Sequence, residues 1–161
     1  RATRLRHNLP RTGPDATIIH ADLREWRPEE QADAILLDAP CSATGIFRRH
    51  PDVIHRIGPR QIAEMAELQA VLLDRAIDWL KPGGQMIYAT CSLEPAEGEA
   101  QIAALLARRA DVRLVEIDPA RLPAGLAPAS TGQLRTLPLL LPDDGRLDGF
   151  FIASLSRSDS V

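Results

Sequence analysis

The two cysteines of this chain, Cys41 and Cys91, each follow directly on an apolar segment, in DAPCSATG and YATCSLEP. A thiolate is a strong nucleophile, and a helix N-terminus stabilises it. Acidic residues follow Cys91 at Glu94, Glu97 and Glu99, as expected for the first turn of a helix. Position alone leaves a buried structural cysteine as an equal alternative, but two thiols in equivalent places favour shared chemistry.

Two carboxylates and two histidines are the other candidates for chemistry. Asp22 and Asp38 end apolar segments, where they can accept hydrogen bonds from a ligand or brace a turn. His50 or His55 could join the cysteines around zinc, but the spacing fits no standard zinc site.

The segment after Cys41 is rich in arginine, at Arg48, Arg49 and Arg56. A phosphate-binding role and a solvated loop are both compatible with that pattern. The formal net charge of −3 and the pI of about 5.8 count weakly against a nucleic-acid partner, because local patches matter more than totals.

Hydrophobic periodicity predicts an alternation of strands and helices. The predicted helices are 1–12, 60–80 and 94–109, and the predicted strands are 16–20, 34–37, 85–90, 112–117 and 149–155. We expect 42–59 to form a mobile loop and 118–147 to be irregular. The order favours an α/β fold with a mostly parallel sheet, in which the apolar strand 34–37 is covered on both faces.

Ligands bind such sheets outside the carboxyl ends of the strands. We therefore expect Asp22, Asp38, Cys41 and Cys91 to converge on one crevice. Adjacent strands lie about 4.8 Å apart, so the two cysteine Cα atoms should lie within roughly 10 Å, without a disulfide.

Length and composition indicate one globular domain over 1–161, with 45% apolar and 25% charged residues. No apolar run approaches the roughly 20 residues that span a bilayer, and the two cysteines cannot make a dense disulfide framework. We expect reduced thiols and a cytoplasmic location.

Five motifs together resemble the RNA (cytosine-5) methyltransferase family, with the greatest likeness to bacterial Sun-type enzymes of small-subunit rRNA. They are DAPCSATG (38–45), RRHPD (48–52), LKPGG (80–84), YATCSLEPAEGE (88–99) and DGFF (148–151). LKPGG is common to many S-adenosylmethionine methyltransferases, whereas the two cysteine motifs about 50 residues apart are specific. The likeness covers nearly the whole chain.

The resemblance implies a Rossmann-like methyltransferase sheet that uses S-adenosylmethionine to methylate carbon 5 of a cytosine in rRNA. It implies that Cys91 is the nucleophile, that Cys41 aids product release, and that Asp38 contacts the base and the methyl end of the cofactor. Asp22 matches the acid that binds the cofactor's adenine. The substrate contacts implied are Pro40, Arg48 and Arg49. His55 stands where the family often has tryptophan.

The family's glycine-rich cofactor loop and its ribose-binding acid do not occur in this sequence, so we expect the first two strands of the sheet to be missing. The segment 16–20 should then fail to pair with 34–37, and should be displaced or pair with another chain. An RNA-contacting or scaffold fragment without catalysis is the alternative function. An amino-methyltransferase would carry D-P-P-Y where this chain has Asp38-Ala39-Pro40-Cys41.

Overall fold

The computed structural model describes residues 2–13, 16–141, 143 and 145–158. Its helices are α1 (Ala2–Thr12), α2 (Val53–Arg56), α3 (Pro59–Trp79) and α4 (Glu99–Arg108). Its strands are β1 (Ala32–Asp38), β2 (Leu80–Thr90), β3 (Val112–Leu114), β4 (Gln133–Thr136) and β5 (Phe150–Arg157). Short 3₁₀ turns lie at Thr44–Ile46, Pro95–Glu97 and Pro119–Arg121.

The five strands form one sheet in the order β1-β2-β5-β3, with β4 also paired to β5. Only β1 and β2 are parallel, and every pair that β5 makes is antiparallel. The α/β class is confirmed, but the expectation of a mostly parallel sheet is wrong for these strands. The cause is β5, which lies between β2 and β3 and runs in the opposite direction. Strand β4 also pairs antiparallel with β5.

The core lies between the sheet and helices α3 and α4. Its fully buried side chains include Leu73, Ile77, Met86, Tyr88 and Leu155. Burying one such side chain contributes about 1.5–3 kcal/mol. Helix α3 begins where the Gly58 amide donates to the Gln61 side-chain oxygen at 3.1 Å, and its apolar stripe faces this core.

Strand β1 is covered on one face only. Leu37 is 7% exposed, whereas Leu36 is 72% exposed. The prediction that 34–37 is covered on both faces is therefore wrong for the described residues. Alternate side chains of a strand point to opposite faces, so the exposed Leu36 marks an open apolar face.

Segment 16–20 forms no strand, so that prediction is wrong. Its expected failure to pair with β1 is confirmed, because β1 pairs only with β2 among the described strands. The predicted helix 94–109 is interrupted at Gly98, whose φ of −124° and ψ of −104° are not helical. The bounds of the other predicted strands also differ, most of all at β2, which begins earlier, at Leu80, and at β3, which ends at Leu114.

The predicted helices 1–12 and 60–80 are confirmed as α1 and α3. The segment 118–147 is not wholly irregular, because it contains β4, which pairs along β5. None of the described helices is long and apolar enough to cross a membrane.

Candidate active site

The two cysteines meet where β1 and β2 end. Cys91 directly follows β2, and Cys41 comes three residues after the last residue of β1. Beyond the strand ends the two loops also contact each other, since the Gly45 amide donates to the Cys91 carbonyl at 3.0 Å. The sulfur atoms lie 3.4 Å apart and both thiols are free. The predicted meeting of the two cysteines, without a disulfide, is confirmed.

The two thiols are electrostatically unequal. The pKa of Cys91 is lowered to about 7, chiefly because the Cys41 thiol donates a hydrogen bond to its sulfur, although burial and the nearby Asp38 and Glu97 act in the opposite direction. The same hydrogen bond and burial raise the pKa of Cys41. The first proton therefore leaves Cys91, and Cys41 stays protonated beside it.

A buried carboxylate that sequence reasoning did not single out lies beneath the thiols. Glu97 is 0% exposed. Its oxygens accept hydrogen bonds from the Ser42 amide at 2.8 Å, from Gln69 Nε2 at 3.0 Å, and from the hydroxyls of Ser42 and Ser92. Hydrogen bonds to charged groups contribute roughly 1.5–3 kcal/mol each.

From the sequence, Glu97 is predicted only to be one of the acidic residues in the first turn of a helix. The one sequence feature that could have indicated a shared partner is the serine that follows each cysteine, in PCS and TCS.

Threonine and arginine side chains also hold the two cysteine loops, because Thr44 accepts from the Leu93 amide at 3.0 Å and Arg135 donates to the Ser92 carbonyl at 2.8 Å.

The segment that contains DGFF crosses the Cys41 loop at two glycines. The Gly149 amide donates to the Gly45 carbonyl at 2.8 Å, and a Cβ built on Gly45 would lie 1.9 Å from the Gly149 carbonyl oxygen. Arg49 forms an ion pair with Asp148 beside this crossing. The DGFF segment thus fixes the loop that carries Cys41.

Asp38 and Pro40 lie at the end of β1, and Arg48 and Arg49 follow the 3₁₀ turn Thr44–Ile46. The carboxylate of Asp38 is exposed and has no hydrogen-bond or ion-pair partner among the described residues. Pro40 is exposed, and its carbonyl accepts from Gln69 Nε2 at 2.8 Å. Arg48 is exposed, while Arg49 is engaged by Asp148.

Asp22 is not joined to the thiol pair by any hydrogen bond or ion pair among the described residues. It accepts three hydrogen bonds from the side chain of Arg24, at 3.1 Å from Nε to each carboxylate oxygen and at 2.6 Å from Nη2 to Oδ2, and one from the Arg24 amide at 2.9 Å. This hydrogen bonding lowers the pKa of Asp22 to about 2. Asp22 therefore braces a turn in this structure, and its role toward a cofactor stays a prediction.

An apolar cavity of about 300 Å³ is lined in part by Thr44, Phe47 and Ile54 from the segment after Cys41 and by Leu93 from the segment after Cys91. Its wall comes from the predicted loop 42–59, which folds into a 3₁₀ turn and the short helix α2. His50 and His55 are exposed on that segment. Within the described residues, no group of three or more His, Cys, Asp or Glu side chains could hold a metal ion.

The sequence that forms this site matches the model of a known protein family. The model of the family described as 16S rRNA methyltransferase RsmB/F matches residues 1–156. The chain belongs to this family. The resemblance predicted from the cysteine motifs is thereby confirmed.

Members of the RsmB/F family from several bacteria align with almost the whole chain. It is 44% identical over 160 residues to the ribosomal RNA small subunit methyltransferase B of Vibrio cholerae and 48% identical to that of Klebsiella pneumoniae. These matches cover 98% of this chain and 34% of each relative. The chain therefore spans about a third of the length of these relatives.

Solved structures confirm the methyltransferase fold. One is NSun6 from Pyrococcus horikoshii with SFG, an S-adenosylmethionine analogue, with a TM-score of 0.79, 27% identity, and coverage of 98% of this chain and 39% of that one. Another is a methyltransferase homolog protein from Pyrococcus horikoshii, with a TM-score of 0.72, 34% identity, and coverage of 96% and 50%.

Proposed function

We propose that this chain provides the nucleophile-bearing part of an enzyme that methylates carbon 5 of a cytosine in small-subunit rRNA. The observation that carries the proposal is the pair of free thiols 3.4 Å apart, with Cys91 the more acidic. The names of the relatives support the substrate class. Because the chain spans about a third of those relatives, the activity is proposed for the polypeptide that includes their remaining length.

The need for a thiolate follows from the chemistry of cytosine. Carbon 5 is too weak a nucleophile to take a methyl group unaided. The Cys91 thiolate adds to carbon 6, forming an S–C6 bond and moving an electron pair toward carbon 5. Carbon 5 would take the methyl group of S-adenosylmethionine, which would leave as S-adenosylhomocysteine with the electron pair of the broken methyl–sulfur bond. Carbon 5 then loses its proton to a base. The electron pair of that C–H bond then restores the C5–C6 double bond and expels the Cys91 thiolate.

Cys41 is suited to the release step. Its thiol donates the hydrogen bond that stabilises a negative charge on Cys91. When the S–C6 bond breaks, that charge develops again on the Cys91 sulfur, and the same hydrogen bond stabilises the departing thiolate. Without Cys41, attack would still occur from Cys91, but release would be slow.

The residues present fit S-adenosylmethionine in part. The exposed, unpaired carboxylate of Asp38 stands at the carboxyl end of β1 beside Cys91, where ligands bind in sheets of this kind. Asp22 fits only if it exchanges its hydrogen bonds with Arg24 for the cofactor. When bound, S-adenosylmethionine supplies the methyl group, and Asp38 would hold its methyl end and the base in register.

The substrate RNA would meet Arg48 and Pro40, which are exposed on the segment that carries Cys41, and Arg49, which Asp148 holds in place. The apolar cavity lined by Phe47 and Leu93 offers a surface on which a nucleobase can stack. Bases presented to proteins by single-stranded RNA are bound in this way.

Nucleoside mass spectrometry tests the proposal. The full-length polypeptide that contains this chain is incubated with a small-subunit rRNA transcript and S-adenosylmethionine. We expect 5-methylcytidine, and none from Cys91→Ala. Methyl groups found on the exocyclic nitrogen, or an undiminished yield from Cys91→Ala, would contradict the proposal.

A further inference from the structure

The buried Glu97 carboxylate binds both cysteine loops at equivalent positions. Ser42 follows Cys41 and Ser92 follows Cys91, and each hydroxyl donates to Glu97 Oε2. The Ser42 amide donates to Oε1 at 2.8 Å. One side chain thus joins the residues that immediately follow the two thiols.

Glu97 is itself held from both sides. Its carbonyl accepts from the hydroxyl of Tyr88 at 2.9 Å and from that of Thr90 at 3.3 Å. Gln69 of helix α3 donates to Oε1 at 3.0 Å and, with the same nitrogen, to the Pro40 carbonyl at 2.8 Å. Glu97 is therefore anchored to β2 through its main-chain carbonyl, and to α3 and the Cys41 loop through its carboxylate.

We propose that Glu97 is a positioning residue that sets the distance between the two active-site thiols by binding Ser42 and Ser92. Within the described residues its carboxylate makes no hydrogen bond to either sulfur atom, and it is fully buried. Its catalytic meaning rests on the function proposed above, whereas the thiol geometry that it sets can be measured without RNA or methyl donor.

An effect of Glu97 through its negative charge and an effect through its position predict opposite changes in the pKa of Cys91 when Glu97 is replaced by alanine. Cys91 faces three titratable groups, Cys41, Asp38 and Glu97, and the negative charge of Glu97 raises the pKa of Cys91. If Glu97 acted through its charge alone, both Glu97→Ala and Glu97→Gln would lower that pKa. If it acts by position, Glu97→Ala separates the thiols and raises the pKa of Cys91, because the hydrogen bond from Cys41 is lost.

Glu97→Gln serves as the conservative variant. Its amide oxygen can still accept from the Ser42 amide and from Gln69, and its amide nitrogen can donate to the two serine hydroxyls, which are able to accept. The position of both loops is then retained while the charge is removed. Glu64→Ala is the matched control, since Glu64 is half exposed on α3 and pairs only with Arg60.

The experiment follows alkylation of Cys91 by iodoacetamide against pH, together with binding of phenylarsine oxide, whose arsenic bonds to two neighbouring thiols and releases water. For Glu97→Ala we expect the alkylation midpoint to rise by about one pH unit, a tenfold change in the ionisation constant. Arsenical affinity should fall about tenfold or more, because the effective concentration of the second thiol falls.

Glu97→Gln and Glu64→Ala should keep the wild-type arsenical affinity, with a midpoint that is unchanged or, in the glutamine variant, lower. A lowered midpoint in both Glu97 variants, or a loss of thermal stability with both thiol readouts unchanged, would overturn the inference. If Glu97→Ala does not fold, Ser92→Ala should give smaller shifts in the same directions, and unchanged values there would overturn it. If the alkylation midpoints and arsenical affinities change as expected but the full-length protein transfers no methyl group, only the proposed function is contradicted.

Discussion

At the scale of single residues, the sequence predicted that Cys41, Cys91 and Asp38 lie where strands end, because the apolar segments before them are visible in the chain itself. It could not show that Glu97 is buried among hydroxyls, since an acid near a helix start usually faces solvent. It also could not show that Arg24 engages Asp22, because that contact depends on the shape of a turn. Side-chain partners are set by three-dimensional packing that a linear pattern does not contain.

The unequal thiols give a prediction for alkylation of the wild-type protein. Cys91 should react with iodoacetamide at a rate that rises through a midpoint near pH 7, because its pKa is lowered to about 7. Cys41, whose pKa is raised, should react slowly across that range. In Cys41→Ala the midpoint of Cys91 should move upward, since the donated hydrogen bond is lost. Mass spectrometry of peptides separates the two sites, and an unmoved midpoint in Cys41→Ala would contradict the assignment.

At the scale of elements, the long periodic segments were predictable, and α3 and β5 lie within a few residues of their predicted bounds. The errors have physical causes. Residues 16–20 have strand-like composition but no partner strand, and a strand needs a neighbour to satisfy its backbone. Strand β4 was missed because it is short and follows a Pro-rich and Gly-rich segment, so only its pairing with β5 defines it.

The glycine crossing between the Cys41 loop and the DGFF segment gives a prediction at this scale. Gly45→Ala should lower the free energy of unfolding by about 1–3 kcal/mol, as overpacking does, because its Cβ would strike the Gly149 carbonyl. Gly58→Ala is the matched control, since its Cβ would meet only the end of the Gln61 side chain at 3.3 Å. Denaturant unfolding measures both, and equal stability of the two variants would refute the close crossing.

At the scale of the whole molecule, the described residues place the two thiols at the carboxyl ends of β1 and β2 and leave an apolar face of β1 open, where Leu36 is 72% exposed. Its sequence contains no glycine-rich cofactor loop. The chain spans 34% of the Vibrio and Klebsiella relatives. We propose that catalysis uses the part of these relatives that this chain does not span, and a non-catalytic RNA-contacting or scaffold module stays the alternative proposal for the chain by itself.

Calorimetry with S-adenosylmethionine tests whether the 161-residue chain holds a complete cofactor site. We expect the 161-residue chain to bind the cofactor weakly or not at all, because Asp38 contacts only part of it and Asp22 is engaged by Arg24. The full-length polypeptide should bind it. Micromolar affinity in the 161-residue chain would show that the cofactor site is complete here.

The central claim is the division of roles between the two thiols, and trapping of the protein–RNA intermediate tests it most directly. Full-length Cys41→Ala and Cys91→Ala proteins are incubated with substrate rRNA and S-adenosylmethionine, then separated on a denaturing gel. We predict a covalent adduct that accumulates with Cys41→Ala and is absent with Cys91→Ala. An adduct with Cys91→Ala and none with Cys41→Ala would contradict the account and exchange the two roles.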